Sequence, residues 1–133
     1  MGMKKILLCI LLFLPLHTKA GREVDHIEIL AGGHYTTSAE DTEGYSKWCR
    51  LFNPTKEQLV TYFAVAREDE FGVGWIHEYY SPCITSGTVT FKDGSYGIWG
   101  LHDSGLGSVY FEDKVNAGKK RLFLHLDNAW EDE

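Results

Sequence analysis

The sequence predicts an α+β fold, in which an antiparallel sheet of four to six strands packs one face against a single main helix. Three observations lead to this prediction. One capped segment has the apolar spacing of a helix, the segments after it have the β-branched content and alternation of strands, and an Asp-Gly pair joins two of them in a tight turn.

The first predicted strand covers residues 23–31, EVDHIEILA, because β-branched residues precede the pair Gly32-Gly33. Residues 33–44 are polar and show no hydrophobic period, so we predict a loop there. The chain is expected to return to the core through Trp48, Leu51 and Phe52.

The clearest helix begins after Asn53-Pro54, where Thr55 and Gln58 form a capping box. Its apolar stripe has the spacing i, i+3, i+4, i+7 and consists of Leu59, Tyr62, Phe63 and Ala66. The acidic run 68–70 is unfavourable at a helix C-terminus, so the helix is predicted to end between Arg67 and Asp69.

The remaining elements are predicted strands joined by turns. Asp93-Gly94 is the strongest signal, because this pair favours the tight turn of a β-hairpin. The predicted strands cover residues 75–80, 84–91, 96–101, 108–111 and 121–126, with a longer turn at 102–107. A cystatin-like curl of the sheet about the helix has the same element order.

Residues 1–20, MGMKKILLCILLFLPLHTKA, have the three-part layout of a secretory signal peptide. Lys4-Lys5 precedes an apolar run that is shorter than the roughly 20 residues a membrane-spanning helix needs. We therefore predict a signal peptide at 1–20, a single domain at 21–133, and a periplasmic or secreted location. An uncleaved N-terminal anchor is the alternative.

Removal of the signal makes the chain strongly acidic. The 113 residues that follow it contain 10 basic and 19 acidic residues, a formal charge of −9. Such a charge disfavours binding to nucleic acid and to anionic lipid, so neither nucleic acid nor a membrane is the expected partner after cleavage. It favours solubility and fast encounter with a basic protein.

The stretch YYSPCITSG, residues 79–87, raises the question whether Cys83 is a nucleophile, a metal ligand or part of a cross-link. Cys9 leaves with the signal, so Cys49 and Cys83 remain, and two thiols in an oxidising compartment usually pair. We predict a disulfide between Cys49 and Cys83.

The sequence contains little that points to chemistry. The histidines do not repeat at a metal-ligand spacing, and no Gly-x-Ser-x-Gly nucleophile motif occurs, so no metal, cofactor or catalytic residue is predicted. The enzymatic alternative is a small envelope hydrolase that uses His77 or His102 with a nearby carboxylate.

Aromatic residues are concentrated near the predicted strand ends and turns. A single helix covers only one face of a sheet, so some of these rings must meet solvent or a partner, unless they complete a small core around the disulfide. The predicted partner-binding residues are Tyr79, Tyr80, Trp99, His102 and Asp103.

A set of motifs spread over most of the exported chain resembles small exported bacterial proteins of uncharacterised function. The set consists of Trp48-Cys49, the helix capped at Pro54-Thr55 with Tyr62-Phe63, Ser81-Pro82-Cys83, Gly87, Asp93-Gly94 and Trp99. The resemblance implies a fold and no catalytic residue.

Together these features predict an exported binding protein that inhibits or neutralises a protein partner, such as an immunity protein or an inhibitor of a cell-wall hydrolase. Besides the hydrolase, the alternative is an envelope module that binds a small apolar ligand between helix and sheet.

Overall fold

A computed structural model describes residues 21–36, 44–127 and 130, and it confirms the α+β fold. Six antiparallel strands form one open sheet in the order β1-β3-β4-β5-β6-β2. The strands are β1 (Val24–Tyr35), β2 (Arg67–Asp69), β3 (Cys83–Phe91), β4 (Tyr96–His102), β5 (Leu106–Phe111) and β6 (Lys120–Leu124). The helices in the described part are α1 (Tyr45–Cys49), α2 (Lys56–Val65) and α3 (Trp75–Tyr79).

Two predictions fall on parts of the chain outside the described residues. They concern the signal peptide at 1–20 and residues 37–43 of the predicted loop. Within the described residues, none of the helices has the length and hydropathy needed to cross a bilayer.

Helix α2 is the predicted main helix, and its capping box is confirmed. The backbone amide of Gln58 donates to Thr55 Oγ1 over 3.1 Å, and the amide of Thr55 donates to Gln58 Oε1 over 2.8 Å. All four residues of its apolar stripe are buried. The phenol of Tyr62 donates to the Gly105 carbonyl over 2.9 Å, and burial raises the pKa of that phenol far above its usual range.

The sheet face against α2 is the inner face, and the opposite side is the outer face. Buried inner-face residues occupy alternate positions on the central strands, as strand geometry requires. They include Val89 and Phe91 on β3, Trp99 and Leu101 on β4, and Val109 and Phe111 on β5.

The helix ends earlier than predicted. Ala66 has an extended conformation with ψ 141°, and residues 67–69 form β2 at the edge of the sheet rather than a last helical turn. Glu68 accepts hydrogen bonds from Arg22 Nε over 2.6 Å and from Arg121 Nε over 2.7 Å. These two cations hold the acidic segment against the sheet, which explains why it leaves the helix.

Strand β1 is longer than predicted and runs through Gly32-Gly33 to Tyr35. A Cβ at Gly33 would lie 1.9 Å from the carbonyl oxygen of Cys49, so only glycine lets α1 pack directly on the strand. Helix α1 therefore lies on the inner side of the sheet, beside α2.

Residues 75–80 do not form the predicted strand. Residues 75–79 form α3, which packs on the outer face over the β5–β6 side. A Cβ at Gly72 would lie 2.6 Å from Leu122 Cδ1 and 2.9 Å from Trp75 Cε3, so both side chains close around this glycine. The Arg67 guanidinium lies 5.3 Å from the Trp75 ring.

The disulfide between Cys49 and Cys83 is present, with an S–S distance of 2.08 Å, and it joins α1 to the start of β3. The expectation that Trp48 and Leu51 enter the core is wrong, because their exposed fractions are 68% and 73%. Cys49 and Phe52 are three residues apart and both point inward, which turns Trp48 and Leu51 to solvent.

Candidate partner-binding surface

Helix α3 covers only part of the outer face of the sheet, and the outer face of β3 and β4 is exposed to solvent beside it. Thr88, Ile98 and Tyr110 lie directly opposite one another on β3, β4 and β5, and Tyr96 is the next outer residue along β4. The exposed fractions of Tyr96, Ile98 and Tyr110 are between 46% and 52%. Three large side chains on the middle of a sheet thus remain half in solvent.

Helix α3 accounts for the limits of this area. It lies on the β5–β6 side of the outer face, where Leu106, Leu122 and Leu124 are buried. The β3–β4 side of the same face carries Thr88 and Ile98, which are exposed. The outer face therefore divides into a part under α3 and an open part.

Tyr80 and His102 extend the open part to the far end of β4. His102 pairs with Ile84 on the outer side, and its ring centroid lies 5.2 Å from that of Tyr80, which is 52% exposed. The distance along β4 from Tyr96 to His102 is about 20 Å at the usual rise per strand residue. We call the surface formed by Tyr80, Tyr96, Ile98, His102 and Tyr110 the outer-face strip.

Between its two ends the strip contains residues with small side chains. Ser86, Gly100 and Ser108 lie opposite one another across β3, β4 and β5. A Cβ at Gly100 would lie 3.1 Å from Ile84 Cδ1, so the Ile84 side chain leans over this position. Small residues and the Ile84 side chain thus separate the Ile98–Tyr110 row from the Tyr80–His102 pair.

Hydrogen bonds fix the loop before β3 against the turn between β4 and β5. His102 Nδ1 donates to the Ser81 carbonyl over 2.6 Å, and Ser104 Oγ donates to the Tyr79 carbonyl over 2.6 Å. Ser81 Oγ also donates to the Asp103 carboxylate. Since the disulfide at Cys83 anchors the same loop, this end of the strip is preorganised, which lowers the entropy lost on binding.

The structure brings four of the five predicted partner-binding residues together. We call the loop before β3 and the turn between β4 and β5 the loop–turn cluster. It contains Tyr79, Tyr80, His102 and Asp103, of which Tyr80 and Asp103 are exposed. Their contact with a partner stays a prediction.

Trp99 requires a correction. Its side chain has no exposed surface, and its indole Nε1 donates to the carbonyls of Glu28 over 3.2 Å and Thr88 over 3.1 Å. The physical reason is that successive side chains of a strand point to opposite faces of the sheet. Residues 98 and 100 face outward, so residue 99 faces the core. Trp99 is a core residue and cannot contact a partner in this fold.

Tyr96, Ile98 and Tyr110 were not among the predicted contact residues. The segment YGIWGLH carries apolar side chains at both odd and even positions, so alternation alone does not say which side is buried. The sequence signal that could have identified the two tyrosines is the number of aromatic residues, which is larger than one helix can cover.

The loop–turn cluster contains Ser, His and Asp side chains, but their hydrogen bonds do not form a catalytic relay. Ser81 Oγ donates to Asp103, while the imidazole of His102 contacts the Ser81 backbone carbonyl and not its hydroxyl. Such bonds hold a loop and do not activate a nucleophile. His77 lies exposed on α3, and the described residues contain no group of three or more potential metal ligands.

His102 should make stability depend on pH. Burial lowers the pKa of its imidazole, an effect that the nearby Lys120 adds to and the Ser81 carbonyl and Asp103 oppose. Since the folded pKa is below the unfolded value of about 6.5, the unfolded state takes up the proton first. Stability is therefore lost as the pH falls below about 6.5 and through the folded pKa.

The His102→Asn variant, which retains an N–H donor and does not titrate, tests this expectation. In urea unfolding between pH 8 and pH 5, the native protein should lose more unfolding free energy than the variant. Equal losses would show that His102 contributes nothing to the pH dependence. The carboxylates whose pKa is lowered, Glu68 and Asp93 among them, titrate below this window.

No protein-family model, curated protein or solved structure matches this chain. The resemblance to small exported bacterial proteins and the cystatin-like form of the sheet therefore stay predictions.

Proposed function

We propose that this chain is an exported protein that binds and blocks a protein partner, and that the outer-face strip is its contact surface. The observation that supports this most is the half-exposure of Tyr96, Ile98 and Tyr110 on the open side of the central strands. The cross-strand pair of Ile98 and Tyr110 contributes to the stability of the sheet, and the half of these side chains that faces solvent is open to a partner.

The chemistry of the strip suits a protein partner. Tyrosine is enriched at interface hot spots, where a few large side chains at the centre contribute most of the binding energy. The strip is about 20 Å long and spans three strands, which is about 10 Å. It is the right size for the centre of an interface of about 800 Å² per partner, with residues 81–82 and 103–105 at the rim.

The proposed partner is a basic protein of the cell envelope. The exported chain has a formal charge of −9, which would accelerate encounter with a cationic surface and make the rate sensitive to salt. The disulfide supports an oxidising location such as the periplasm or the exterior. An immunity protein or an inhibitor of a cell-wall hydrolase would act by occlusion, the preorganised strip covering the partner's cleft.

The experiment compares capture by three forms of the exported chain. The test variant is Tyr96→Ser with Tyr110→Ser. The matched control is Trp48→Ser with Leu51→Ser, which removes two large side chains that are even more exposed and lie on the inner side of the sheet. Each substitution at such an exposed or half-exposed position should lower the unfolding free energy by about 1 kcal/mol or less, and thermal unfolding would verify that all three forms are folded.

Each immobilised form is incubated with envelope extract at low salt, and the retained protein is identified and then purified for titration. We expect the native protein and the control to retain the same basic protein, and the test variant to lose it. Retention by the test variant and loss by the control would place the interface on α1 instead. Retention of no envelope protein by the native chain would contradict the binding function.

A further inference from the structure

The start of the described chain lies against the C-terminal end of α2. Gly21 has a φ of 84°, and a Cβ built on it would lie 2.3 Å from the Ala64 carbonyl oxygen and 2.4 Å from the Phe63 carbonyl oxygen. The backbone amide of Arg22 donates to the same Phe63 carbonyl over 2.7 Å. Two successive residues thus pack on the last carbonyls of the helix.

These carbonyls form a negative site. The last four carbonyl groups of an α-helix have no partner within the helix, and the helix dipole places about half a negative charge at this end. One of them, the Tyr62 carbonyl, accepts the amide of Ala66 over 2.8 Å. A cation placed beside the Phe63 and Ala64 carbonyls would be stabilised.

Arg22 holds Gly21 in this position. Its guanidinium donates to both carboxylate oxygens of Glu68, over 2.6 Å and 3.0 Å, and lies 4.8 Å from the centre of the Phe111 ring. The side chain of residue 22 is therefore fixed on β2 and the core. Gly21, one residue earlier, has little freedom to leave the helix end.

We propose that the α-ammonium group freed at Gly21, once the predicted signal peptide 1–20 is removed, binds the C-terminal carbonyls of α2. The inference rests on the proposed export. In the cleavage step the C–N bond between residues 20 and 21 breaks; the hydroxyl of water joins the carbonyl carbon of residue 20, which becomes a carboxyl group, and its proton goes to the Gly21 nitrogen. A signal peptidase of the membrane supplies the catalysis, and processing then stabilises the fold.

The glycine at position 21 fits this role. Any side chain there would meet backbone oxygens, which cannot move without disrupting the end of α2, and the positive φ is unfavourable for other residues. Because glycine has no side chain and adopts a positive φ readily, the chain can approach the end of α2 more closely here than with any other residue.

The test uses three forms that share residues 22–133. One begins with the free amine of Gly21, the second has that amine acetylated, and the third begins at Ala20. The folding equilibrium constant is measured by denaturant unfolding at pH 6.5 and pH 9.5. At pH 6.5 the free-amine form should have a constant about 2- to 5-fold larger than the other two, the range expected for a charge at a helix end.

The sign of the pH effect follows from the amine. Its unperturbed pKa is about 8, and binding to the carbonyls raises it, so the advantage is present below pH 8 and is lost as the pH rises through the folded value. The other charged side chains at this end are common to all three forms and cancel in the comparison. They are Arg22, Glu23, Arg67, Glu68, Lys92 and Asp93.

Equal constants at pH 6.5, or an advantage that persists at pH 9.5, would overturn the proposal. The intact mass of protein recovered from the envelope provides the second readout, and we expect a chain that begins at Gly21. A different first residue would also overturn it, while the partner-capture experiment would be unaffected. Conversely, failure to capture a partner would leave the comparison of the three forms unchanged.

Discussion

Replacing Trp99 by alanine is expected to lower the unfolding free energy by about 3–5 kcal/mol, the usual range for removal of a fully buried tryptophan. The indole is completely buried on the inner face of β4, and its Nε1 donates to carbonyls of β1 and β3. The variant would lose the packing of the largest core side chain. It would also leave the carbonyls of Glu28 and Thr88 without this donor.

Small domains have a total stability of only 5–15 kcal/mol, so a loss of this size would leave Trp99→Ala close to unfolded. Urea unfolding followed by circular dichroism is the appropriate measurement, because the substitution removes a fluorescent reporter. The matched control is Ile98→Ala, one residue earlier and 48% exposed, which should cost about 1 kcal/mol or less. A smaller loss for Trp99→Ala than for Ile98→Ala would mean that the two faces of β4 are assigned the wrong way round.

Removal of the disulfide is expected to have the second largest effect. The bridge closes a loop of 34 residues, for which the chain-entropy relation gives about 3–4 kcal/mol. Both sulfurs are buried, so the double variant Cys49→Ala with Cys83→Ala is preferable to serines, which would bury hydroxyl groups. The measurement is guanidinium unfolding of the native protein with and without reductant, beside the double variant.

The double variant also serves as the control for the reductant itself, because reductant should not change its unfolding midpoint. The native protein in reductant should unfold at a midpoint close to that of the variant. An unchanged midpoint for the native protein would show that the bridge does not form in solution. Cys83 follows Ser81 and Pro82, so loss of the bridge should also loosen the Tyr80 end of the outer-face strip.

Local signals allowed prediction of the elements that depend on neighbouring residues. The capping box of α2 needs only Thr55 and Gln58, and the hairpin between β3 and β4 needs only Asp93-Gly94, so both are visible in the sequence. The disulfide followed from the count of cysteines and the predicted compartment. None of these features requires knowledge of distant contacts.

The elements that were missed depend on distant contacts. Strand β2 has three residues and is held by the contact of Glu68 with Arg121, 53 residues later in the chain. Helix α3 forms where Trp75 can pack beside Leu122 on the outer face, and no local pattern announces this. For the same reason the outer-face strip became visible only once the pairing of β4 with β3 and β5 was known.

Hydroxyl-radical footprinting of the native protein, free and bound to its captured partner, tests the binding face most directly. Oxidation of Tyr80, Tyr96 and Tyr110 is predicted to fall severalfold in the complex, while Trp48 on α1 and Phe71 before α3 react as they do in the free protein. Unchanged oxidation of Tyr96 and Tyr110, with protection at Trp48, would contradict the proposal that the outer-face strip binds the partner.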